Sequence, residues 1–367
     1  MERVKKLKIA ISHGDLNGIG YEVLWKIFSD ERILELLTPV VYGSTKAMHY
    51  WKERLGVEAK DWILIDRAED ARAEQVNIID CATEEIELAI GEAHEAAGRL
   101  AYQALERATT DTLLGLCDAL VTAPINKSIM PHDLFPYKGH TQYLEDRAAE
   151  EIGQSLMLLT CQDCRVSLVT GHVPLGHVAA SLTTPLIVEK VRLLEAGLRR
   201  DFGVIKPRIA VLGLNPHAGD MGLIGKEEQE IIVPAITQLT SEGILVFGPY
   251  PADGFWASRQ HQVFDGILAM YHDQGLVPFK TLYMAEGVNT TLGLRIIRTS
   301  PDHGTAYDIA GKGIASADSM RAAIYQALDI YRSRQAYEEA NRNPLRRAYF
   351  SRGKDDNAFD LCSSEND

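Results

Sequence analysis

Residues 7–20 read LKIAISHGDLNGIG, an apolar run followed by a turn that contains three glycines. The apolar run, Leu7–Ser12, is typical of a buried strand, and the pattern after the turn predicts a helix from about Gly20. The glycine spacing is not G-x-G-x-x-G, so a tight strand-to-helix turn explains these glycines better than a Rossmann phosphate loop. The start of the chain therefore predicts a strand–turn–helix unit.

The same alternation of strand and helix continues along the chain. Pro39–Tyr42, Trp62–Ile65 and Ala119–Thr122 are short apolar runs, and Glu92–Leu116 is an alanine-rich stretch that favours a long helix. Strands that alternate with helices are typical of a parallel sheet covered on both faces. We therefore predict an α/β fold with mixed, largely parallel sheets.

Cys161 and Cys164 form a single C-x-x-C between two apolar runs, 155–160 and 165–170. The pair could serve redox chemistry or zinc binding, or it could flank the turn of an antiparallel hairpin. A structural zinc site uses four ligands and the sequence has no second C-x-x-C, so we favour the hairpin. Five cysteines in 367 residues indicate no disulfide framework, which suits a reduced, cytoplasmic setting.

The second half of the chain is expected to complete a second lobe. The remaining predicted elements are helices over 184–202, 225–239 and 316–332, and strands over 208–214, 244–248 and 264–271. A chain of 367 residues exceeds what one hydrophobic core usually serves, so we expect two interleaved lobes. We place one lobe at 1–127 plus 300–350, the other at 128–299, and a polar tail at 351–367.

The overall charge excludes some classes of partner. The formal net charge is −13, which opposes nucleic-acid binding because that function requires a basic footprint. No apolar stretch approaches the length of a membrane span, so we expect no membrane partner. A small anionic substrate remains compatible, provided that Lys, Arg or His residues cluster locally.

Three histidines each follow an apolar run that ends in a turn. They are His172 in VTGHVP, His217 in LGLNPHAG and His272 in AMYHDQG. Strand ends in α/β proteins meet along one rim, where ligands bind, and three neutral imidazoles with one open position form a reactive metal site. Taken singly, each histidine could equally be a hydrogen-bonded structural residue.

Two further groups of residues could bind anions. His140 and Thr141 stand where a helix is expected to start; Thr141 could cap that helix, or the helix start could receive a phosphate with His140 as an added donor. Lys280, Asn289 and Arg298 could lie on a solvated surface, but Arg298 follows an apolar run, and an arginine at a buried edge needs an anionic partner.

Nine segments, spread over most of the chain, together carry a resemblance to a known family. They are VTAPINK (121–127), GHT (139–141), GHVPL (171–175), GLNPHAG (213–219), PAD (251–253), AMYHDQG (269–275), GVN (287–289), IRTS (297–300) and DHGT (302–305). In this order they resemble the 4-hydroxythreonine-4-phosphate dehydrogenase family. The sequence departs from that family in the turn at 12–20, in the segment after His217 and at Arg295, which leaves the substrate within the family open.

The resemblance implies a two-lobed fold similar to that of isocitrate and isopropylmalate dehydrogenases. The segment 303–313 looks like the loop that those enzymes wrap around the adenosine half of NAD or NADP. The residues that this implies for cofactor binding are His303, Gly304, Thr305, Asp308 and Gly311.

The resemblance also implies the chemistry. Oxidation of 4-phosphooxy-L-threonine by NAD or NADP, then decarboxylation to 3-amino-2-oxopropyl phosphate, would serve pyridoxine 5′-phosphate (vitamin B6) synthesis. One divalent metal (zinc, magnesium or cobalt) would sit on His172, His217 and His272, with His272 contributed by the second subunit of a homodimer. The implied phosphate and carboxylate ligands are His140, Thr141, Lys280, Asn289 and Arg298.

Two acidic residues and three alternative functions remain open. Asp253 and Asp273 are candidates for accepting the hydroxyl proton, or for orienting a metal-bound histidine. Related dehydrogenases act on 4-phospho-threonate, 4-phospho-erythronate or aromatic dihydrodiols. A three-histidine hydrolase would not need the 303–313 loop, and a non-enzymatic binding protein would not explain why metal, anion and dinucleotide features occur together.

Overall fold

The computed structural model describes residues 6–151 and 154–343, so the predicted tail at 351–367 and the end of the 300–350 segment lie outside the described residues. The strands are β1 (Leu7–Ser12), β2 (Leu37–Gly43), β3 (Ile63–Leu64), β4 (Asn77–Asp80), β5 (Ala119–Thr122), β6 (Leu156–Cys161), β7 (Cys164–Leu168), β8 (Arg208–Leu212), β9 (Leu245–Tyr250), β10 (Gly266–Ala269), β11 (Val288–Leu292) and β12 (Arg298–Pro301).

These strands form one sheet with the order β3-β4-β2-β1-β5-β12-β11-β6-β7-β10-β8-β9. The pairs β12/β11, β11/β6 and β6/β7 are antiparallel, and the other neighbours in the described sheet are parallel. The predicted α/β class with a mixed, largely parallel sheet is therefore confirmed.

Helices cover this sheet on both faces. They are α1 (Gly20–Phe28), α2 (Thr45–Leu55), α3 (Glu95–Leu113), α4 (His140–Ala148), α5 (Val178–Ser181), α6 (Thr184–Arg200), α7 (Val233–Ser241), α8 (Ala252–Ala257), α9 (His272–Tyr283) and α10 (Asp318–Arg342). Within the described residues, no helix is both long enough and apolar enough to cross a bilayer.

Most of the predicted elements are present, with changed ends. β1 and β5 have the predicted bounds, whereas the single helix predicted over 225–239 is a π-helical turn at Glu228–Ile232 followed by α7. The elements that were not predicted are β4, β11, β12, α2, α5, α8 and α9. β11 and β12 are short and rich in threonine and serine, so they lack the apolar run by which buried strands are recognised.

The hairpin interpretation of the C-x-x-C is confirmed. Cys161 and Cys164 face each other across the β6/β7 pair, and Gln162 between them adopts a left-handed conformation (φ 52°). Both thiols are buried, and burial raises the pKa of Cys164 to about 12. Thiols held in this protonated state are poor nucleophiles, so the pair packs as part of the core.

The core differs between the two halves of the sheet. In the order of the sheet, the half that runs from β3 through β4, β2, β1 and β5 to β12 packs into one large buried cluster. The half that runs from β6 through β7, β10 and β8 to β9 carries one cluster on each face. Along β8, for example, Ile209 and Val211 enter one cluster while Ala210 and Leu212 enter the other, as the two-residue period of a strand requires. Because one sheet continues through both halves, the predicted lobe boundaries stay a prediction.

Candidate active site

The three histidine-bearing turns follow neighbouring strands. β7 and β8 each pair with β10 in parallel, so the carboxyl ends of all three strands lie at one edge of the sheet. His172, His272 and His217 come after β7, β10 and β8 respectively. The sheet order therefore brings together three segments that are 45 to 100 residues apart in the sequence.

His172 and His272 meet at this edge, with ring centroids 6.0 Å apart. His272 Nδ1 lies 2.7 Å from Asp273 Oδ1, and a proton held on Nδ1 leaves the Nε2 lone pair free. A carboxylate that orients a histidine in this way is typical of metal ligands. The pKa of His172 is lowered by burial, by Lys127 and by His272, which favours the neutral imidazole that a metal requires.

His217 lies apart from this pair. It is exposed and begins five consecutive residues, 217–221, with left-handed backbone angles. The base of its loop is fixed because buried Glu228 accepts hydrogen bonds from the backbone N–H groups of Leu214 and Asn215 at 2.8 and 2.7 Å. Within residues 6–151 and 154–343, no three His, Cys, Asp or Glu side chains are placed to hold a metal ion together.

A cleft of about 500 Å³ opens beside His172 and His272. Its charged lining residues are Lys127, Lys138, Lys280 and Arg298 against Glu145 and Asp302, and four histidines line it: His140, His172, His272 and His303. A chain with net charge −13 thus places an excess of cations in one cleft, which is the local cluster that a small anion needs.

Arg298 is the most unusual of these cations. Its guanidinium is 2% exposed and donates to Thr122 Oγ1 at 2.8 Å and Thr291 Oγ1 at 3.1 Å. Among its partners in the described part of the chain there is no carboxylate, and burial lowers the pKa of Arg298 to about 9. A buried cation without a counter-ion is costly, so its place beside a cleft indicates an anionic ligand.

His140 and Thr141 stand at the start of α4, beside Arg298. The predicted cap is corrected: Gly139, with φ 153°, is the N-cap residue, and Thr141 is the second residue of the helix. His140 Nε2 is buried without a partner among the described atoms, and burial, Arg298 and Lys127 lower the pKa of this histidine. The free N–H groups of a helix start and a neutral imidazole suit a phosphate.

Helix α9 presents a row of residues to the cleft. His272, Leu276 and Lys280 all line it, because a spacing of four residues keeps side chains on one helix face. Lys280 Nζ lies 3.0 Å from Asp302 Oδ1. Asn289, on β11, also lines the cleft, whereas Arg295 is exposed elsewhere and does not.

The predicted cofactor loop begins in this cleft and then leaves it. His303 and Gly304 line the cleft, whereas Thr305, Asp308 and Gly311 do not. The far part of the loop is fastened to α1, because buried Glu22 accepts from Gly311 N at 3.1 Å and Ala315 N at 2.9 Å. At the near end, His303 Nε2 is buried and unpartnered among the described atoms, so a bound ligand would supply its hydrogen-bond partner.

The proposed proton acceptors lie outside the cleft lining. Asp253 is exposed on α8, and Asp273 is exposed and hydrogen-bonded to His272, so its geometry suits orientation of that ring. The sequence analysis gave no role to Lys127, Lys138 or Asp302, although all three line the cleft. Lys127 and Asp302 follow the strands β5 and β12, so a systematic reading of strand ends would have found them.

The fold is of the α/β class, and the cleft with its excess of cations and its histidines has the character of a site for a small anion. The family described as "Pyridoxal phosphate biosynthetic protein PdxA" matches residues 35–327. The chain belongs to this family, that of the 4-hydroxythreonine-4-phosphate dehydrogenases. The predicted family and the predicted oxidoreductase class are thereby confirmed.

Named relatives and solved structures agree with this assignment. The chain is 48% identical over 362 residues to 4-hydroxythreonine-4-phosphate dehydrogenase of Bacteroides thetaiotaomicron, covering 99% of each chain. It is 40% identical to the enzyme of that name from Sulfurihydrogenibium sp., covering 90% of this chain and 100% of the relative. The crystal structure of the Klebsiella pneumoniae enzyme matches with a TM-score of 0.76 at 34% identity, covering 90% of this chain and 99% of that one.

Proposed function

We propose that the chain is a cytoplasmic NAD- or NADP-dependent dehydrogenase that oxidises 4-phosphooxy-L-threonine in vitamin B6 biosynthesis. Loss of CO2 from the resulting β-keto acid gives 3-amino-2-oxopropyl phosphate. The observation that carries the proposal is Arg298, a buried cation with no carboxylate partner in the described chain, beside a helix start and two facing histidines in one cleft. Named relatives that are 48% and 40% identical support the substrate.

The anions of this substrate match the polar groups of the cleft. Phosphate and carboxylate both carry several acceptor oxygens, and arginine and a helix start each present several N–H groups at once. Arg298, His140 and Thr141 provide such donors in the lining of the cleft, and Lys280 and Asn289 add further polar groups there. A neutral dihydrodiol would leave these buried donors unpaired, which strongly disfavours it.

The histidines suit a divalent cation such as zinc, magnesium or cobalt. His172 and His217 would hold it together with His272, which the second subunit of the proposed dimer would contribute. When bound, the metal supplies Lewis-acid stabilisation of the developing alkoxide. The support for the site is chemical: His172 has a pKa that favours the neutral form, and Asp273 leaves His272 Nε2 free.

A homodimer is proposed to complete the site. The exposed loop that carries His217 ends in Met221 and Leu223, which are 89% and 82% exposed, and Leu175, three residues after His172, is 75% exposed. Large apolar side chains clustered in sequence beside functional residues are typical of a surface that a partner covers. A second copy of the chain would cover these side chains and bring the separated histidines into shared sites.

The test is a substrate panel with the purified protein. 4-Phosphooxy-L-threonine, 4-phospho-threonate, 4-phospho-erythronate and unphosphorylated 4-hydroxythreonine are each offered with NAD or NADP, with and without zinc, magnesium or cobalt. We expect reduced cofactor to form fastest from 4-phosphooxy-L-threonine, in a metal-dependent manner. Faster turnover of phospho-threonate or phospho-erythronate would keep the family and overturn the substrate; turnover without change in the cofactor would favour a hydrolase.

A further inference from the structure

Oxidation of a hydroxyl group releases a proton as well as a hydride, so the cleft needs a proton acceptor. Asp253 is exposed away from the cleft, and Asp273 already binds His272 at 2.7 Å. The carboxylates that line the cleft are Glu145 and Asp302. Glu145 Oε2 accepts a hydrogen bond from Ser155. Of the two residues, Asp302 is the one with a carboxylate oxygen that is buried and unpartnered among the described atoms, so Asp302 is the carboxylate to consider.

Asp302 lines the cleft, and the two oxygens of its carboxylate differ in their partners. Oδ1 lies 3.0 Å from Lys280 Nζ, whereas Oδ2 is buried and has no hydrogen-bond partner among the described atoms. The side chain is 11% exposed. A buried acceptor without a donor is uncommon, and in a substrate cleft it indicates that a ligand supplies the donor.

The position of Asp302 is fixed by its backbone. Its N–H donates to Gly287 O at 3.2 Å and to Ser319 Oγ at 3.0 Å, so both the turn before β11 and the start of α10 hold it. The residue follows β12, whose first residue is Arg298, and directly precedes His303. Arg298, Asp302 and His303 line the same cleft, so Asp302 lies near both a residue proposed for the substrate and the start of the loop proposed for the cofactor.

We propose that Asp302 Oδ2 accepts the proton of the substrate hydroxyl during oxidation, an inference that rests on the proposed function. The O–H bond breaks and its proton moves to Oδ2, while the hydride of the same carbon passes to the oxidised nicotinamide ring and a C=O bond forms. Asp302 is thus a catalytic residue of the reaction. Burial raises the pKa of Asp302, despite the opposing effect of Lys280, which makes it a better base near neutral pH.

His303 Nε2 is the rival acceptor, because it is also buried and unpartnered among the described atoms. Its pKa is lowered, chiefly by burial, so it holds a proton less well than an ordinary histidine. Its place at the start of the cofactor loop suits it better to donate or accept a hydrogen bond with the dinucleotide. The two residues can be separated experimentally because they should affect different kinetic constants.

The experiment compares Asp302→Asn, Asp302→Ala and the control Asp163→Asn in the metal-loaded enzyme, after wild-type turnover has been established. Asp302→Asn should lower kcat by roughly 10²- to 10⁴-fold with KM changed less than about threefold, the range expected for a lost general base. Asp163 is fully exposed in the β6/β7 turn and does not line the cleft, so Asp163→Asn should retain kcat within about threefold. Formate, a small carboxylate, should restore part of the kcat of a folded Asp302→Ala enzyme, which a structural role would not permit.

The possible failures are distinguishable. A wild-type enzyme that turns over none of the phosphorylated substrates would overturn the proposed function and this inference with it. If the wild type is active but the Asp302→Asn enzyme keeps kcat within about tenfold of the wild-type value, or loses activity through a change in KM alone, the inference is overturned and the proposed function stands. The inference is also overturned if formate does not restore any kcat to a folded Asp302→Ala enzyme.

Discussion

The buried charge of Arg298 is expected to lower the stability of the folded chain. The guanidinium is buried on hydroxyl partners, Thr122 and Thr291, so its desolvation is not offset by a carboxylate of the described chain. Arg298→Met should leave the free energy of unfolding unchanged or raise it by about 1–3 kcal/mol, because the cost of burying the charge disappears. The same change should lower kcat/KM for the phosphorylated substrate at least 100-fold, because the anion loses a charged donor.

A matched control is available in Arg334, which is also buried. It donates to Asp201 Oδ1 at 2.8 Å and Oδ2 at 3.0 Å, linking α10 to the end of α6. Arg334→Met removes two charged hydrogen bonds and leaves the buried Asp201 carboxylate with Arg200 Nε, 2.8 Å from Oδ1, as its remaining cation. We therefore expect a loss of about 1.5–3 kcal/mol in urea unfolding. Equal destabilisation by the two substitutions would mean that Arg298 is a structural residue.

His13 makes the stability of the protein depend on pH. It is fully buried against Tyr21, and burial lowers its pKa to about 3, so the native state holds it neutral. The unfolded chain binds a proton below pH 6.5, so this residue's contribution to stability falls as the pH drops from 6.5 toward 3. Between pH 7 and 5 the free energy of unfolding should fall by about 2 kcal/mol on this account, and His13→Leu should remove that part of the slope.

Urea unfolding at both pH values measures the His13 effect. The exposed His132→Asn variant is the control and should keep the wild-type slope. If His13→Leu does not change the dependence of the free energy of unfolding on pH, other titratable groups cause the loss of stability at acidic pH.

Among the secondary-structure elements, helix α3 depends on Gly98 for its close packing. A Cβ atom at Gly98 would lie 1.8 Å from Ile129 O, so the helix packs directly on the turn at Lys127–Ile129. Lys127 in that turn lines the cleft, which makes the contact relevant to function as well as to packing. Alanine is normally preferred over glycine inside a helix by about 1 kcal/mol. At residue 98 the clash of a Cβ atom with Ile129 O has to outweigh this helix propensity of alanine.

Gly98→Ala should therefore destabilise the protein by about 1–3 kcal/mol and raise KM for the phosphorylated substrate, because the turn has to move. Gly254→Ala in α8 is the matched control. A Cβ atom there meets nothing within 4 Å, so this variant should be neutral or gain up to about 1 kcal/mol. Thermal melting and steady-state kinetics of both variants give the measurement, and a Gly98→Ala enzyme as stable as the control would contradict the packing argument.

At the scale of the whole molecule, the proposed dimer makes a prediction about mixed subunits. His172→Ala and His272→Ala chains should each be inactive. If His272 acts in the site of the partner subunit, a hybrid dimer contains one site with both histidines intact, so mixing the two inactive proteins should restore a fraction of the wild-type rate. The measurement is turnover after subunit exchange, with the dimer mass checked by light scattering.

The structure also permits the opposite outcome, because His172 and His272 of one chain already lie with their rings 6.0 Å apart. No recovery despite demonstrated exchange would place both histidines in a site formed by one chain. Met221→Asp serves as the control for assembly: a charge on this exposed apolar side chain should weaken the dimer without altering the fold of the chain.

Local signals in the sequence predicted the class of fold, which the sheet confirms, and named candidate residues for the site. Apolar runs and glycine turns are local signals, so β1, β5 and the Cys161–Cys164 hairpin could be predicted from neighbouring residues. β11 and β12 could not, because strands rich in hydroxyl side chains are recognised by their neighbours in the sheet and not by their own pattern. α9 was missed for a related reason: it contains Gly275 and Pro278, which in isolation indicate a turn.

Tertiary structure alone decided which of the candidate residues meet. The order of β7, β10 and β8 brought His172 beside His272 and left His217 on an exposed loop. It also buried Arg298 without a carboxylate partner among the described residues and left one oxygen of Asp302 buried without a partner there, while Asp253 lies outside the cleft lining. The physical reason is that burial and unpaired polar atoms are properties of a residue's surroundings, and those surroundings come from other segments of the chain, as when Thr122 contacts Arg298 across 176 residues.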